Sequence, residues 1–446
     1  MDLPVKSHIK NTISLAYPVM IGQVGYIAMQ VVDNIMIGGL GAVSLAAASL
    51  ANSIFILIMI IGLGVSYAVT PLVAIAIGAG KSAECEELFK HSFIVNTITS
   101  VLLVLLAYLA SFIIRYLNEP PEVVSLAVTY CRFMGLSILP LMLFQSYKQF
   151  IEGLSSTRPA MVITVTANII NALFNWILVY GKFGIPAFRL NGSACATFSS
   201  RLFMALVIIW YVRRSRVFNK YDLSLKIKKI NAHIIKKILN LGIPTAVQYV
   251  FEVGSFSAAV IMIGWLGIKQ LAAHQIAINL ASISYMAALG ISAAGAIRVG
   301  NGVGQQNITE VRRAGFTAIF LGASMMLLCG VVFIIFRNFL PSLYIHDPEV
   351  ITIASTLLIV AALFQIFDGT QAVGIGVLRG LTDVKGPTII TFVSYWLIAL
   401  PVGYFFGFII HLQVLGVWIG FLCGLFSSAV LLTIRFNKKS KLAVHI

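Results

Sequence analysis

The sequence predicts an all-α integral membrane protein, about twelve transmembrane helices forming two six-helix bundles related by a parallel pseudo-twofold repeat. Three observations predict it: long apolar runs from end to end, basic residues concentrated in alternate loops, and an internal repeat at a shift of about half the chain.

The apolar runs exclude a water-soluble domain. Of the 446 residues, 59% are hydrophobic and only 10% charged, whereas a soluble domain carries roughly 25% charged residues. A helix crosses a hydrocarbon core of roughly 30 Å in about 20 apolar residues. Spans of that kind fall at about 12–38, 48–78, 91–117, 125–150, 160–181, 191–213, 236–265, 271–300, 313–337, 351–378, 386–410 and 414–436. The first contains Asp33 and no small-residue cleavage site, so it reads as a retained span, not a removable leader.

The net charge of +16 could suggest nucleic acid, but its distribution argues against that partner. Of the 31 Lys and Arg, 24 lie at the two ends or in the loops after even-numbered spans, including Arg213, Arg214, Arg216 and Lys220. The alternate loops hold Arg115, Lys182, Arg189, Lys269 and Arg337. The positive-inside rule then places both termini in the cytoplasm of a multi-pass cytoplasmic (inner) membrane protein, with the basic loops against anionic lipid headgroups. The five cysteines are scattered, without disulfide or zinc spacing, and read as packing residues.

The repeat appears when the chain is shifted by about 226 residues. Leu15-Ala16-Tyr17-Pro18 falls on Leu241-Gly242-Ile243-Pro244, and Ile37-Gly38-Gly39-Leu40-Gly41 on Ile263-Gly264-Trp265-Leu266-Gly267. One residue further out of register, Pro121-Glu122-Val123 meets Pro348-Glu349-Val350 and Gly153-Leu154 meets Gly380-Leu381. Six spans per half is an even number, so the halves share one orientation. The expected organisation is a bundle over 1–213, a basic cytoplasmic linker over 214–235 and a bundle over 236–446. Gly416, Gly420 and Gly424, with Gly192, Ala196 and Ser200 as counterparts, read as close helix packing.

Ionisable groups deep in a membrane cost about 2.5–3.5 kcal/mol on insertion scales and mark function by default. Asp33, Glu252 and Asp368 lie inside predicted spans, and their repeat partners are Ala259, Tyr26 and Leu141. Packing symmetry therefore does not require these acids. A carboxylate among apolar groups can hold a proton, coordinate a hard cation such as Na+ through oxygen, or attract a cationic substrate. Asn171 and Asn175, four apart, put two amides on one helix face, either as sodium ligands or as a hydrogen-bonded pair between helices. Pro18 and Pro244 sit inside spans one and seven, where a proline kinks a helix, as a hinge or as a static bend. His274 reads as a structural histidine, and Arg132 and Arg201 as partners of acids or headgroups. Gly80-Lys81-Ser82 lacks the first glycine of a phosphate loop, so ATP drive has no support.

Two parallel six-span halves, the paired Gly-x-Leu-Gly segments at 38–41 and 264–267, Leu271-Ala272-Ala273-His274-Gln275-Ile276-Ala277 and Gly380-Leu381-Thr382-Asp383 together resemble the multidrug and toxic compound extrusion (MATE) family. An acid in span seven with one in span ten is similar to the NorM-like branch. The resemblance implies an antiporter that expels hydrophobic, often cationic drugs and dyes in exchange for inward Na+ or H+, without other cofactors. By the same resemblance, Asp33, Asn171, Asn175 and Thr197 match an amino-terminal cation site, and Glu252 and Asp368 a carboxy-terminal one. The chain carries Asn175 where some relatives have an aspartate, which leaves open the lobe that couples to each ion. The chain is read as a monomer. The rival readings are a flippase for a lipid-linked saccharide, which a basic cavity would favour, and an intramembrane enzyme, for which no nucleophile–base pair or metal set is present.

Overall fold

The computed structural model describes residues 5–116, 119–224 and 230–442, and the linker residues Lys226, Lys228 and Lys229 lie outside these. Among the described residues there is no strand, and twelve helical stretches are long and apolar enough to cross a membrane, from Lys6–Gly38 to Gln413–Ser440. The first half comprises α1 (Val5–Gly38), α2 (Ala42–Ser66), α3 (Val69–Gly78), α4 (Ser82–Ile113), α5 (Pro121–Leu136), α6 (Ile138–Gly153), α7 (Arg158–Tyr180) and α8 (Arg189–Arg214). The second comprises α9 (Ala232–Gly264), α10 (Ile268–Gly304), α11 (Ile308–Ile335), α12 (Phe339–Ser342), α13 (Pro348–Gly380), α14 (Lys385–Phe392), α15 (Leu400–Tyr404) and α16 (Gln413–Ser440). Each described half thus carries six spans, in the order the repeat predicts.

The same turn opens the second span of each half. Gly41 and Gly267 have φ of 103° and 114° and stand directly before α2 and α10. With ψ near 170°, this is backbone that essentially only glycine adopts, which explains the paired Gly-x-Leu-Gly segments. The halves then diverge. In the first, span two breaks between α2 and α3 and span four breaks at Ser137, whereas α10 and α13 run unbroken. Span eleven instead contains two π-helical segments, Val393–Ala399 and Phe405–Ile409.

Chain packing forms two compact units: Met1–Met20, Ala74–Gly80 and Val247–Ile446 in one, Ile21–Val73 and Lys81–Ala246 in the other. Both α1 and α9 pass from one unit to the other two residues after a proline inside the helix, Pro18 and Pro244. In the second unit α4 presents Leu102, Leu105, Leu106 and Leu109 outward, an apolar stripe that lipid tolerates and water does not.

Small residues bring helices into backbone contact, as expected from their spacing. A Cβ on Gly416, Gly420 or Gly424 would meet backbone atoms of span eleven, among them Gly407 N, Ala399 O and Ser394 O. A Cβ on Gly192 would come within 2.6 Å of Leu178 O, and Ser200 Oγ donates to Ala167 O at 2.8 Å. His274 is buried and accepts from Trp418 Nε1 at 3.1 Å, the structural role expected of it. Four basic residues counted with the loops, Lys90, Lys148, Arg298 and Arg379, lie instead in helices and are buried. Their long side chains form polar contacts at helix ends, and the charge bias of the remaining loops stands.

Candidate functional site

The six polar residues singled out in the sequence fall into two buried clusters, one in each unit. The first rests on α7, where Asn168, Asn171 and Asn175 recur every three or four residues and so share one face. That face is tied to α1. Asn168 Nδ2 donates to Gly25 O at 2.8 Å, Asn175 Nδ2 to Asp33 Oδ1 at 2.6 Å, and Tyr180 Oη to Met36 O at 2.8 Å.

Around Asp33 the oxygens converge. Thr197 of α8 donates to Asp33 Oδ2 at 3.4 Å, a long bond, and Asn171 Nδ2 to Thr197 Oγ1 at 3.5 Å. Asn175 Nδ2 also lies 3.2 Å from Asn171 Oδ1. Asp33 is 9% exposed, and Asn171, Asn175 and Thr197 at most 1%. Asn175 Oδ1 is buried with no hydrogen-bond partner among the described residues. A buried acceptor without a donor costs about 1–3 kcal/mol, which a bound cation or a turned amide would relieve.

The second cluster centres on Glu252 of α9. Its Oε1 accepts from Tyr285 Oη of α10 at 2.8 Å, while its Oε2 is buried without a hydrogen-bond partner among the described residues. Asp368 of α13 is buried and accepts no hydrogen bond among the described residues. Glu252 and Asp368 act on each other electrostatically, and both act on Tyr285 and on Tyr395, which lies in the first π-helical segment. Gln365 and Gln371 flank Asp368 at three-residue spacing. Gln365 Nε2 donates to Ser284 Oγ at 2.5 Å, and Tyr395 Oη donates to Gln371 Oε1 at 3.2 Å.

Two carboxylates in one dry site cannot both stay bare without an attracted cation. Their oxygens, with amide oxygens beside them, are hard ligands of the kind Na+ takes. The orphaned Glu252 Oε2 is where such an ion, or a proton, would gain most. In the first cluster, Asp33 with three neutral side chains offers the same donor chemistry with one negative charge fewer.

Sequence reasoning missed Tyr285, Tyr395, Gln365, Gln371 and Ser284. A signal was present. In the repeat alignment these residues face Met59, Asn168, Ile138, Phe144 and Ile58, so four of the five are polar only in the second half. It also missed the role of Asp383 in the Gly-Leu-Thr-Asp segment. That carboxylate takes Arg435 Nε at 2.6 Å and Nη2 at 2.9 Å, anchoring the end of α16 across the side-chain-free Gly386.

Comparison with known proteins places this geometry in context. The MatE family model matches residues 18–177 and 244–405, one match to each half of the repeat. Multidrug resistance protein MdtK of Yersinia pseudotuberculosis serotype O:1b (strain IP 31758) is 35% identical over 433 residues, 96% of this chain and 95% of that protein. MdtK of Yersinia enterocolitica serotype O:8 is also 35% identical over 433 residues, with the same coverage. Among solved structures, the eukaryotic MATE transporter AtDTX14 superposes with a TM-score of 0.88 at 21% identity, covering 99% of each chain. An outward-facing multidrug resistance MATE family transporter of the MOP superfamily superposes at 0.89 and 21% identity, over 98% of this chain and 96% of that one. With both halves of the repeat matched by one family model and full-length relatives above 30% identity, the chain belongs to the MatE family of transporters.

Proposed function

We propose that the protein is a multidrug efflux antiporter of the cytoplasmic membrane, expelling hydrophobic, often cationic small molecules in exchange for inward Na+ or H+. The observation that carries the reading is the pair of buried carboxylate clusters, Asp33 with its amides and Glu252 with Asp368, in a chain similar along its length to proteins named for multidrug resistance. A carboxylate that binds either an inorganic cation or a cationic drug couples the two by competition, since each weakens the hold on the other.

The energetics suffice without ATP. One charge moving down 100 mV releases about 2.3 kcal/mol, enough to hold a substrate gradient of about fiftyfold at one charge per cycle. Asp33, beside Asn171, Asn175 and Thr197, would take a proton or the cationic cargo, and Glu252 with Asp368 would take the inorganic cation. Pro18 and Pro244, each two residues before its helix changes unit, would serve as hinges during the cycle. Both termini would face the cytoplasm. The deep unpaired charges are chiefly acidic, which favours cationic cargo over a diphosphate-linked saccharide.

The test is accumulation of a fluorescent lipophilic cation in everted membrane vesicles, whose lumen corresponds to the cell exterior, under separately imposed Na+ and proton gradients. Wild type should respond to at least one gradient. Glu252→Gln should lose most efflux and Asp33→Asn should lose its dependence on the gradient, each at wild-type expression. Drug resistance equal to wild type in cells making the same amount of the Glu252→Gln protein would overturn the assignment.

A further inference from the structure

Arg201 lies on α8 four residues after Thr197, whose hydroxyl reaches Asp33 Oδ2. Four residues is one helical turn on one face. Arg201 therefore stands on the face of α8 that meets Asp33, one turn beyond Thr197, and it is 9% exposed. Its contacts are neutral. Nη1 donates to Ser137 Oγ at 2.6 Å, Nη2 lies 4.0 Å from Met59 Sδ, and Cζ lies 5.2 Å from the centroid of the Phe55 ring. No carboxylate stands within ion-pair distance of Arg201 among the described residues.

A desolvated guanidinium with only a hydroxyl, a thioether and a ring is far from compensated. Asp33 is the carboxylate that faces it electrostatically, beside Tyr26 of α1 and Tyr130 of α5. The other charged pair of this region, Lys148 and Glu152 on α6, is 3.9 Å apart and cancels itself. The bare Asp33 cluster thus carries no excess charge. The Glu252 cluster does. Glu252 faces Arg379 in the last turn of α13, which is bonded to Tyr249, and Asp368 faces Glu252, so one negative charge is left over. In the register that sets Ser200 against Gly424, the counterpart of Arg201 is Leu425, also buried, so the second half lacks a tethered cation at this place.

We propose that Arg201 is a built-in counter-cation for Asp33 that keeps a free metal ion out of the amino-terminal cluster and leaves the Glu252–Asp368 cluster as the one that takes Na+. Arg201 acts through Asp33 and is a positioning residue for charge. The proposal deepens the antiporter reading and rests on it for the importance of the two clusters. A guanidinium within about 10 Å of an incoming cation repels it by about 1.7 kcal/mol or more at an effective dielectric of about 20, which corresponds to more than tenfold in affinity.

The experiment is equilibrium binding of radioactive sodium to the purified full-length protein at one fixed pH. Arg201→Gln and Arg201→Met should gain a Na+ site at least about tenfold tighter than any Asp33-dependent binding in wild type. Adding Asp33→Asn should abolish the gain. Arg201→Lys keeps the charge and should bind Na+ as wild type does, as should Ser137→Ala, which removes the 2.6 Å bond but not the charge. Thermal unfolding checks that each variant is folded. Arg201→Lys behaving like Arg201→Gln would show that packing, not charge, matters and would overturn the proposal. So would unchanged Na+ binding in a folded Arg201→Gln or Arg201→Met protein. Failure of the exporter reading is seen separately, as vesicles that move no dye under either gradient.

Discussion

Tyr285→Phe removes one oxygen from the second cluster and tests whether Glu252 is the group that captures the coupling cation. Tyr285 Oη donates to Glu252 Oε1 at 2.8 Å, and it is the hydrogen bond that this carboxylate accepts from a side chain. A hydrogen bond to a charged acceptor contributes about 1.5–3 kcal/mol. Part of it survives when a cation neutralises the carboxylate, so the difference between the bare and the loaded state is about 1.4 kcal/mol. That is about tenfold in cation affinity. The bond favours the bare form, so its loss should tighten cation binding and slow release. In everted vesicles the coupling-ion concentration for half-maximal dye accumulation should fall about tenfold in Tyr285→Phe, and the maximal rate should fall with it. Phenylalanine keeps the ring and its packing. A half-maximal concentration equal to that of wild type, at matched expression, would refute the assignment of Glu252 as the capturing group.

Two further outcomes follow from the packing and the charge distribution. Gly420→Leu should lower the unfolding temperature of the purified protein by several degrees, because its side chain would enter the space of Ala399 O and Gly403 N, and overpacking typically costs about 1–3 kcal/mol; an unchanged melting curve would count against close packing of α16 on span eleven. In a cysteine-free background, Leu412→Cys should react with an impermeant thiol reagent in intact cells and Asn219→Cys only after the membrane is opened, because the charge bias predicts a cytoplasmic position for the basic loops; labelling of position 219 in sealed cells would reverse the topology.

The spans, their number and the two-half order were legible because each rests on a property the chain repeats: about 20 apolar residues per crossing, and a turn that demands glycine at positions 41 and 267. The buried acids were legible for the opposite reason, being the places where the repeat breaks. Asp33 faces Ala259 and Glu252 faces Tyr26, so chemistry present in one half cannot be a requirement of packing in both. The partners of those acids were not read, although the same comparison held them, because a glutamine or tyrosine in a membrane helix costs far less than a carboxylate and attracts less suspicion.

Some of the site lies beyond any pattern of residue types. Tyr395 reaches Gln371 from a helix wound locally as a π-helix, and that winding rotates every following side chain relative to the regular 3.6-residue period. A periodicity argument assumes the regular winding and so places span eleven correctly along the chain but not the direction of its side chains. The break at Ser137 poses the same difficulty in the first half. There the broken helix offers a hydroxyl to Arg201, whereas its counterpart α13 runs on unbroken through Asp368. Two helices equivalent by sequence register thus present different chemistry to their clusters, one holding a cation in place and the other an acid. An exporter that must bind a cation in one step and release it in the next gains from that inequality, since two identical clusters would fill and empty together.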